Sequence, residues 1–166
     1  MKYLTTIFVL LILIISCNPF APSVDEDLGG NNFLADQTTV EGFFQNWSLA
    51  YNYRDTIIYQ QLLHPNFIFS FRDYDANTDL SWDKETDIRK THGLFTTSRY
   101  IDLVWNDYIF SVGDSITWDA TRLFYLQITF SESDIINITG RAKIRLTREN
   151  STQDWQMIQW VDESNF

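Results

Sequence analysis

Arg122 and Asp162 are the charged residues that the sequence places among apolar neighbours. Arg122 alternates with apolar residues in one long predicted strand, and Asp162 continues the apolar face of the last one. Successive side chains of a strand point to opposite faces, so both are predicted on the face that meets the helices, unless a β-bulge reverses the alternation. A charge on that face must be paired or reach water. Two interpretations stay open: a structural ion pair or snorkelling arginine, or a pocket mouth where the Arg122 guanidinium binds an anionic group.

Aromatic side chains are numerous enough to line such a pocket, since the chain has 13 Phe, 8 Tyr and 6 Trp. Tyrosine and tryptophan at helical or strand spacing also pack in ordinary cores, with their polar atoms reaching a partner or the surface. A ligand cavity lined by aromatic rings is the alternative. The candidate ligand-binding residues are Trp47, Tyr51, Tyr59, Trp105, Trp118, Arg122, Trp160 and Asp162.

Motifs for metal, cofactor or nucleophilic chemistry are missing from the sequence. His64 precedes a proline at a predicted helix end, and His92 is expected on an exposed helix face. The two histidines do not have metal-ligand spacing, and there is no HExxH motif. The sequence also lacks a Gly-rich phosphate loop, a GxSxG elbow and a dinucleotide-binding fingerprint. We expect no metal and no cofactor, and no complete catalytic set can be named.

Two kinds of periodicity divide the chain after residue 36. Apolar residues first recur at three- and four-residue intervals, which predicts helices, and later alternate with polar ones, which predicts strands. Long strands joined by short polar turns predict an antiparallel meander, and helices followed by such a sheet indicate an α+β domain. The predicted helices are 38–52, 55–63 and 82–95, with a polar loop at 73–79. The predicted strands are 67–71, 100–112, 116–130, 135–148 and 155–161.

The order of these elements resembles the nuclear transport factor 2-like superfamily, which includes ketosteroid isomerases and polyketide cyclases of the SnoaL type. The resemblance rests on FFQNWSLAY at 43–51, YQQLLHPNFIF at 59–69, and RLTR at 145–148 followed by WQMIQWVD at 155–162. It implies a cone-shaped α+β fold, also called cystatin-like, with N-terminal helices packed on a curved antiparallel sheet. Members range from isomerases and dehydratases to binding and assembly modules, so the fold alone assigns no function.

The same resemblance implies one kind of chemistry. Ketosteroid-isomerase-like members use an Asp base with Tyr and Asp donors in an apolar pocket, where burial tunes the pKa values. Tyr51, Tyr59, Asp55 and Asp102 lie near comparable helix and strand positions here, and none of them matches that motif residue by residue. An enzyme with a pocket Asp and Tyr therefore stays an alternative.

The first seventeen residues predict the cellular location of the protein. Lys2 precedes an apolar run, and Ser16 at its end leads into Cys17, the only cysteine of the chain. A positive start, a short apolar run and a small residue are typical of a secretory signal, and the run is too short to span about 30 Å of hydrocarbon. The segment resembles a bacterial lipoprotein signal, which implies cleavage before Cys17 and lipidation of its thiol. The alternatives are an ordinary secretory signal or an uncleaved anchor.

The remaining organisation follows from composition. We predict a signal peptide at 1–16, a lipidated cysteine and flexible tether at 17–36, and one domain at 37–166. The tether combines prolines, paired glycines and an acidic triplet. The formal net charge of −10 argues against nucleic-acid binding and against adhesion of the domain to anionic lipid. The predicted location is the bacterial cell envelope, lipid-anchored at the outer membrane or the periplasmic face.

Three functional hypotheses remain from the sequence. The preferred one is a non-catalytic lipoprotein domain that binds a small apolar or anionic ligand, or an envelope protein partner. The second is an isomerase- or dehydratase-like enzyme with a pocket Asp and Tyr. The third is an assembly module that forms a homodimer through the outer face of its sheet, where Arg141, Lys143 and Arg145 concentrate positive charge.

Overall fold

The computed structural model describes residues 33–164. The predicted signal peptide, Cys17 and most of the predicted tether lie outside the described residues. Ala35, which we assigned to the tether, bonds to the first helix: its N–H donates to Asn46 Oδ1 at 2.7 Å, and Asn46 Nδ2 donates to its carbonyl at 3.0 Å. The folded part of the chain thus includes residues before 37. Among the described residues, none of the helices is both long and apolar enough to cross a bilayer.

Each of the three described helices begins at a side-chain cap. Thr39 Oγ1 accepts a hydrogen bond from the Gly42 N–H at the start of the first helix. Asp55 and Asp83 cap the other two in the same way. These side chains satisfy backbone donors that the first turn of a helix leaves free. The helices are α1 (Val40–Tyr53), α2 (Thr56–Leu62) and α3 (Lys84–Thr97).

Six strands form one sheet. They are β1 (Leu63–Asp73), β2 (Thr78–Asp83), β3 (Tyr100–Gly113), β4 (Thr117–Ser131), β5 (Asp134–Thr147) and β6 (Gln156–Asp162). Their order is β2-β1-β6-β5-β4-β3, and β3 to β6 form the predicted antiparallel meander. β1 pairs with β6 in parallel. The sheet is therefore mixed, whereas the sequence predicted an antiparallel one. Hydrophobic periodicity reports which face of a strand is buried and carries no information on the direction of its neighbour.

The predicted elements are wrong in the segment after β1. Residues 73–79, predicted as a loop, include the turn of a hairpin, and Trp82, predicted in a helix, lies near the end of β2. The helix starts only at Lys84, because Asp83 accepts a hydrogen bond from the Thr86 N–H and so caps it. β2 is exposed along most of its length, and it therefore lacks the alternation that indicates a half-buried strand.

The core lies between α1 and one face of the sheet. Phe43, Phe44, Trp47 and Ala50 recur at helical spacing and are each at most 1% exposed. Alternate residues of the four meander strands supply the other side of the core. They are Ile101, Leu103, Ala120, Phe124, Ile128, Ala142, Ile144, Leu146 and Met157.

The alternation also places the two charged residues. Arg122 pairs in register with Ala142, which in turn pairs with Asp162 on the next strand. Ala142 is fully buried in the core, so all three side chains lie on the helix-facing side of the sheet.

Candidate functional site

A small cavity lies between α1 and the sheet, near the end of β6. Its volume is about 60 Å³, and its walls are almost entirely apolar. Pockets for drug-sized ligands measure about 300–1,000 Å³, so this cavity admits a very small molecule or the end of a larger one. It is lined by Trp47, Tyr51, Leu103, Trp105, Phe124, Leu126, Ile138, Trp160 and Asp162.

Tryptophan rings form the largest part of the cavity wall. Trp47 on α1 packs against Trp105 of β3 at a centroid distance of 4.7 Å and against Trp160 of β6 at 4.9 Å. Phe124 of β4 meets Trp105 edge-on at 5.9 Å. Trp47 thus connects rings of two strands, β6 and β3, that are separated in the sheet by two other strands. Such edge and tilted contacts stabilise the wall beyond its apolar burial alone.

These tryptophans also carry unused hydrogen-bond donors. Within residues 33–164, the indole Nε1 atoms of Trp47, Trp105, Trp118 and Trp160 are buried and have no hydrogen-bond partner. Leaving a buried donor unpaired costs about 1–3 kcal/mol, and most buried polar groups in proteins are satisfied. Trp118 does not line the cavity, so these unpaired donors belong to the aromatic core and do not mark a ligand.

Asp162 brings a carboxylate to the same wall. Its Oδ1 accepts a hydrogen bond from the Ser164 N–H at 2.9 Å, and its Oδ2 accepts one from Ser164 Oγ at 3.0 Å. Burial raises the pKa of Asp162 above its ordinary value, although the hydrogen bonds from Ser164 act in the opposite direction. In the described part of the chain, Asp162 forms no ion pair with a lysine, arginine or histidine.

Gly140 holds the chain end against the sheet beside this carboxylate. A Cβ at position 140 would lie 2.6 Å from Ser164 Cβ and 2.7 Å from Ser164 Cα, so only glycine fits without a shift. The Glu163 N–H also donates to the Arg141 carbonyl at 2.9 Å. The position of Asp162 therefore depends on a close backbone approach between β5 and the segment that follows β6.

Arg122 lies outside this cavity and has its own carboxylate. Its Nη1 is 3.2 Å from Glu41 Oε2, and its Nε donates to the Asn106 carbonyl at 2.7 Å. The guanidinium lies over the rings of Phe44 and Tyr108, at 4.6 and 4.4 Å from their centroids. This geometry fits the interpretation of a structural ion pair, and it directs the guanidinium toward Glu41 and away from the cavity.

Tyr59 also lies away from the cavity, in a buried cluster between the helices and β2. Its hydroxyl donates to Asp87 Oδ2 at 2.6 Å, and Trp82 Nε1 donates to Asp87 Oδ1 at 2.7 Å. Asp87 is only 4% exposed, and burial raises its pKa. We did not identify Asp87 from the sequence, because a polar residue in the first turn of a helix is typical of a solvated position near the helix dipole.

The remaining candidate and the two histidines lie outside the cavity. Trp118 pairs with Leu146 in the sheet, outside the cavity lining. His64 Nδ1 accepts a hydrogen bond from the Asn66 N–H, and exposed His92 contacts Thr56. Over residues 33–164, no group of three or more His, Cys, Asp and Glu side chains is placed to hold a metal ion.

The predicted basic stripe on the outer sheet face is interrupted by carboxylates. Arg145 forms a bidentate pair with Asp119, at 2.7 Å and 3.0 Å. Lys143 bonds to Glu163, and Arg141 Nε lies 3.5 Å from the same residue. The stripe is therefore mostly neutralised within the domain itself.

Comparison with known proteins gives a fold and no close relative. No family model matches the chain, and neither does any curated protein sequence. Solved structures do match. A conserved protein from Planctomyces limnophilus has a TM-score of 0.66 at 13% identity, covering 76% of this chain and 93% of its own.

Two further structures carry more specific descriptions. An NTF2-like protein from Cytophaga hutchinsonii has a TM-score of 0.60 at 16% identity, covering 76% of this chain and 95% of its own. A candidate scytalone dehydratase from Novosphingobium aromaticivorans has a TM-score of 0.65 at 8% identity, covering 76% and 82% respectively. Residues 33–164 form three helices and an open six-stranded sheet, and the TM-scores show that these structures share this fold. The described domain therefore has the α+β fold of the NTF2-like superfamily.

Proposed function

We propose that the chain is a bacterial envelope lipoprotein, anchored through lipid on Cys17, whose domain binds a small ligand without performing chemistry on it. The observation that carries ligand binding is the aromatic cavity with the Asp162 carboxylate in its wall. Anchoring is supported by the order of Lys2, the apolar run and the lone cysteine in the sequence.

The arrangement of carboxylates and tyrosines favours binding over catalysis. Asp87 and Tyr59 form a short hydrogen bond, but they lie in the buried cluster and do not line the cavity. Asp162 and Tyr51 do line the cavity, and there the Asp162 oxygens accept hydrogen bonds from Ser164. A general base and its partner donor need to converge on one reacting atom. The dehydratase neighbour, at 8% identity, supports the fold alone.

Xenon and propan-1-ol test the cavity directly, because both are small enough for a space of about 60 Å³. Each should shift the indole N–H resonances of Trp47, Trp105 and Trp160 in NMR spectra and shift few others. Apolar cavities of proteins take up xenon readily. Xenon uptake should also be seen as an exchange shift in ¹²⁹Xe spectra.

A matched pair of substitutions locates the binding. Ile138→Trp should fill the cavity and abolish both shifts, because Ile138 lines it. Ile136→Trp, two residues away on the same strand and 43% exposed, should leave them unchanged. Equal responses in the two variants, or no response in the wild type, would reject the cavity as a binding site.

Anchoring is tested in cells with Cys17→Ser. The unchanged chain should incorporate labelled palmitate and sediment with membranes, whereas the variant should do neither. Label in the variant would show that the lipid is not on Cys17, and an unlabelled wild type would remove the anchor from the proposal.

The outer face of the sheet favours a second candidate function, homodimerisation. Phe110 and Val112 are each 53% exposed there, beside cations that Asp119 and Glu163 already neutralise. Two copies with a formal charge of −10 repel one another, and this repulsion is weakest where neutral surfaces face each other. Light scattering should give a dimer for the wild type and a monomer for Val112→Asp. A wild type that stays monomeric at high concentration would end this candidate.

A further inference from the structure

Asp162 is half-buried and lacks the cationic partner that a carboxylate in a protein interior ordinarily has. Charged side chains in protein interiors are nearly always paired, since removing an unpaired charge from water is costly. The Asp162 oxygens accept two hydrogen bonds from Ser164, but the structure provides no cation for them among residues 33–164. Arg122 shares the register row of Asp162, yet its guanidinium is held by Glu41.

The rest of the cavity wall is largely aromatic. The face of an aromatic ring carries partial negative charge and attracts cations, with tryptophan the strongest. Trp47, Trp105, Trp160 and Phe124 surround the space beside the carboxylate. An anionic ligand would meet both the charge of Asp162 and the formal net charge of −10. A cation would be attracted by both charges, and the acidic domain would raise the local concentration of the cation.

We infer that the ligand of this cavity is a small organic cation of the alkylammonium class, with its charged nitrogen at Asp162 and its carbon atoms against the tryptophan rings. The inference rests on the proposed ligand-binding function and names its ligand class. A small primary amine or amino alcohol matches a cavity of about 60 Å³.

Two pairs of probes separate charge from shape. Ethanolamine and propan-1-ol have nearly the same size and both carry a hydroxyl, but only ethanolamine is cationic at pH 7. Choline and 3,3-dimethylbutan-1-ol repeat the comparison with a larger, fully methylated head. Each is titrated into the full chain while the indole N–H resonances are followed, with sodium chloride added to the neutral probes so that ionic strength is equal.

The inference expects ethanolamine to bind at least tenfold more tightly than propan-1-ol. Choline and its carbon analogue are larger than the cavity of about 60 Å³, so neither should shift an indole resonance, and a shift by choline alone would place the cation site outside the cavity. Asp162→Asn keeps an acceptor for Ser164 and removes the charge, so the preference should fall to about one. Asp119→Asn removes a carboxylate that pairs with Arg145 and does not line the cavity, so the preference should remain.

The outcomes distinguish this inference from the function on which it rests. Equal binding of the charged and neutral probes would overturn the cation and leave a cavity for neutral apolar ligands. A preference that survives Asp162→Asn would also overturn it, because the general acidity of the domain would then be the cause. If none of the probes shifts an indole resonance, the proposed ligand binding fails together with the inference.

Discussion

The buried cluster around Asp87 allows a quantitative test of how the helices are held together. Its carboxylate accepts hydrogen bonds from Tyr59 at 2.6 Å and from Trp82 at 2.7 Å, and so ties α2, α3 and β2 to one another. Asp87→Ala leaves both donors without this partner, with Tyr59 fully buried and Trp82 half-buried. At about 1–3 kcal/mol for each unpaired buried donor, the free energy of unfolding should fall by about 2–6 kcal/mol.

Tyr59→Phe removes only one of the two hydrogen bonds. A hydrogen bond to a charged group contributes about 1.5–3 kcal/mol, so this variant should lose about that amount. In Asp87→Ala/Tyr59→Phe the tyrosine donor is no longer left unpaired. The double variant should therefore lose less stability than the sum of the two single variants, by about 1–2 kcal/mol.

The assay is urea denaturation of the wild type and the three variants, followed by circular dichroism and tryptophan fluorescence. The two probes must give one transition for the free energies to be comparable. Changes that add to within about 0.5 kcal/mol would refute the reasoning, because residues without direct coupling behave additively. A stable Asp87→Ala variant would likewise show that the two donors find other partners.

Two further predictions are tested by the same urea denaturation. Burial raises the pKa of Asp87, so the native state binds its proton more tightly than the unfolded chain, and the stability that this provides is lost as pH rises through the folded pKa. Relative to Asp87→Asn, the wild type should therefore become less stable between about pH 4 and neutral pH, and a difference that is constant with pH would contradict the shift. Gly140→Ala should lose about 1–3 kcal/mol, because its Cβ would overlap Ser164. Gly93→Ala, with open space around it in α3, should gain about 0.5–1 kcal/mol, and equal effects in the two variants would show that the contact at Ser164 is not tight.

Local periodicity predicts the parts of this fold that depend on a single buried face. α1 has apolar residues on one side at helical spacing, and β3 to β6 alternate, so both the helix and the meander could be identified from the sequence. β2 could not, because an exposed strand has no buried face to mark it. The parallel pairing of β1 with β6 depends on how the whole sheet assembles, which no local pattern records.

The site residues divide in a similar way. Alternation predicts that Asp162 points toward the helices, and there it lines the cavity. It cannot say what each side chain meets once it is there. Tyr59 finds Asp87 28 residues away, and Arg122 finds Glu41 81 residues away, so both are engaged outside the cavity. Long-range partners of polar residues are set by tertiary packing.

The separation of Arg122 from Asp162 yields a last prediction. Arg122 and Asp162 lie on the two strands that flank Ala142, in register with it. Neighbouring strands are about 4.8 Å apart, so the two backbones lie about 10 Å apart, a distance that an arginine side chain can span. Glu41 holds Arg122 away from the cavity, so Glu41→Gln should release it to compete for the Asp162 carboxylate. Ethanolamine should then bind several-fold more weakly in NMR titrations while propan-1-ol binds as before. Unchanged ethanolamine binding would mean that the Asn106 carbonyl and the ring of Phe44 suffice to hold Arg122, and that the pairing with Glu41 does not keep the carboxylate free.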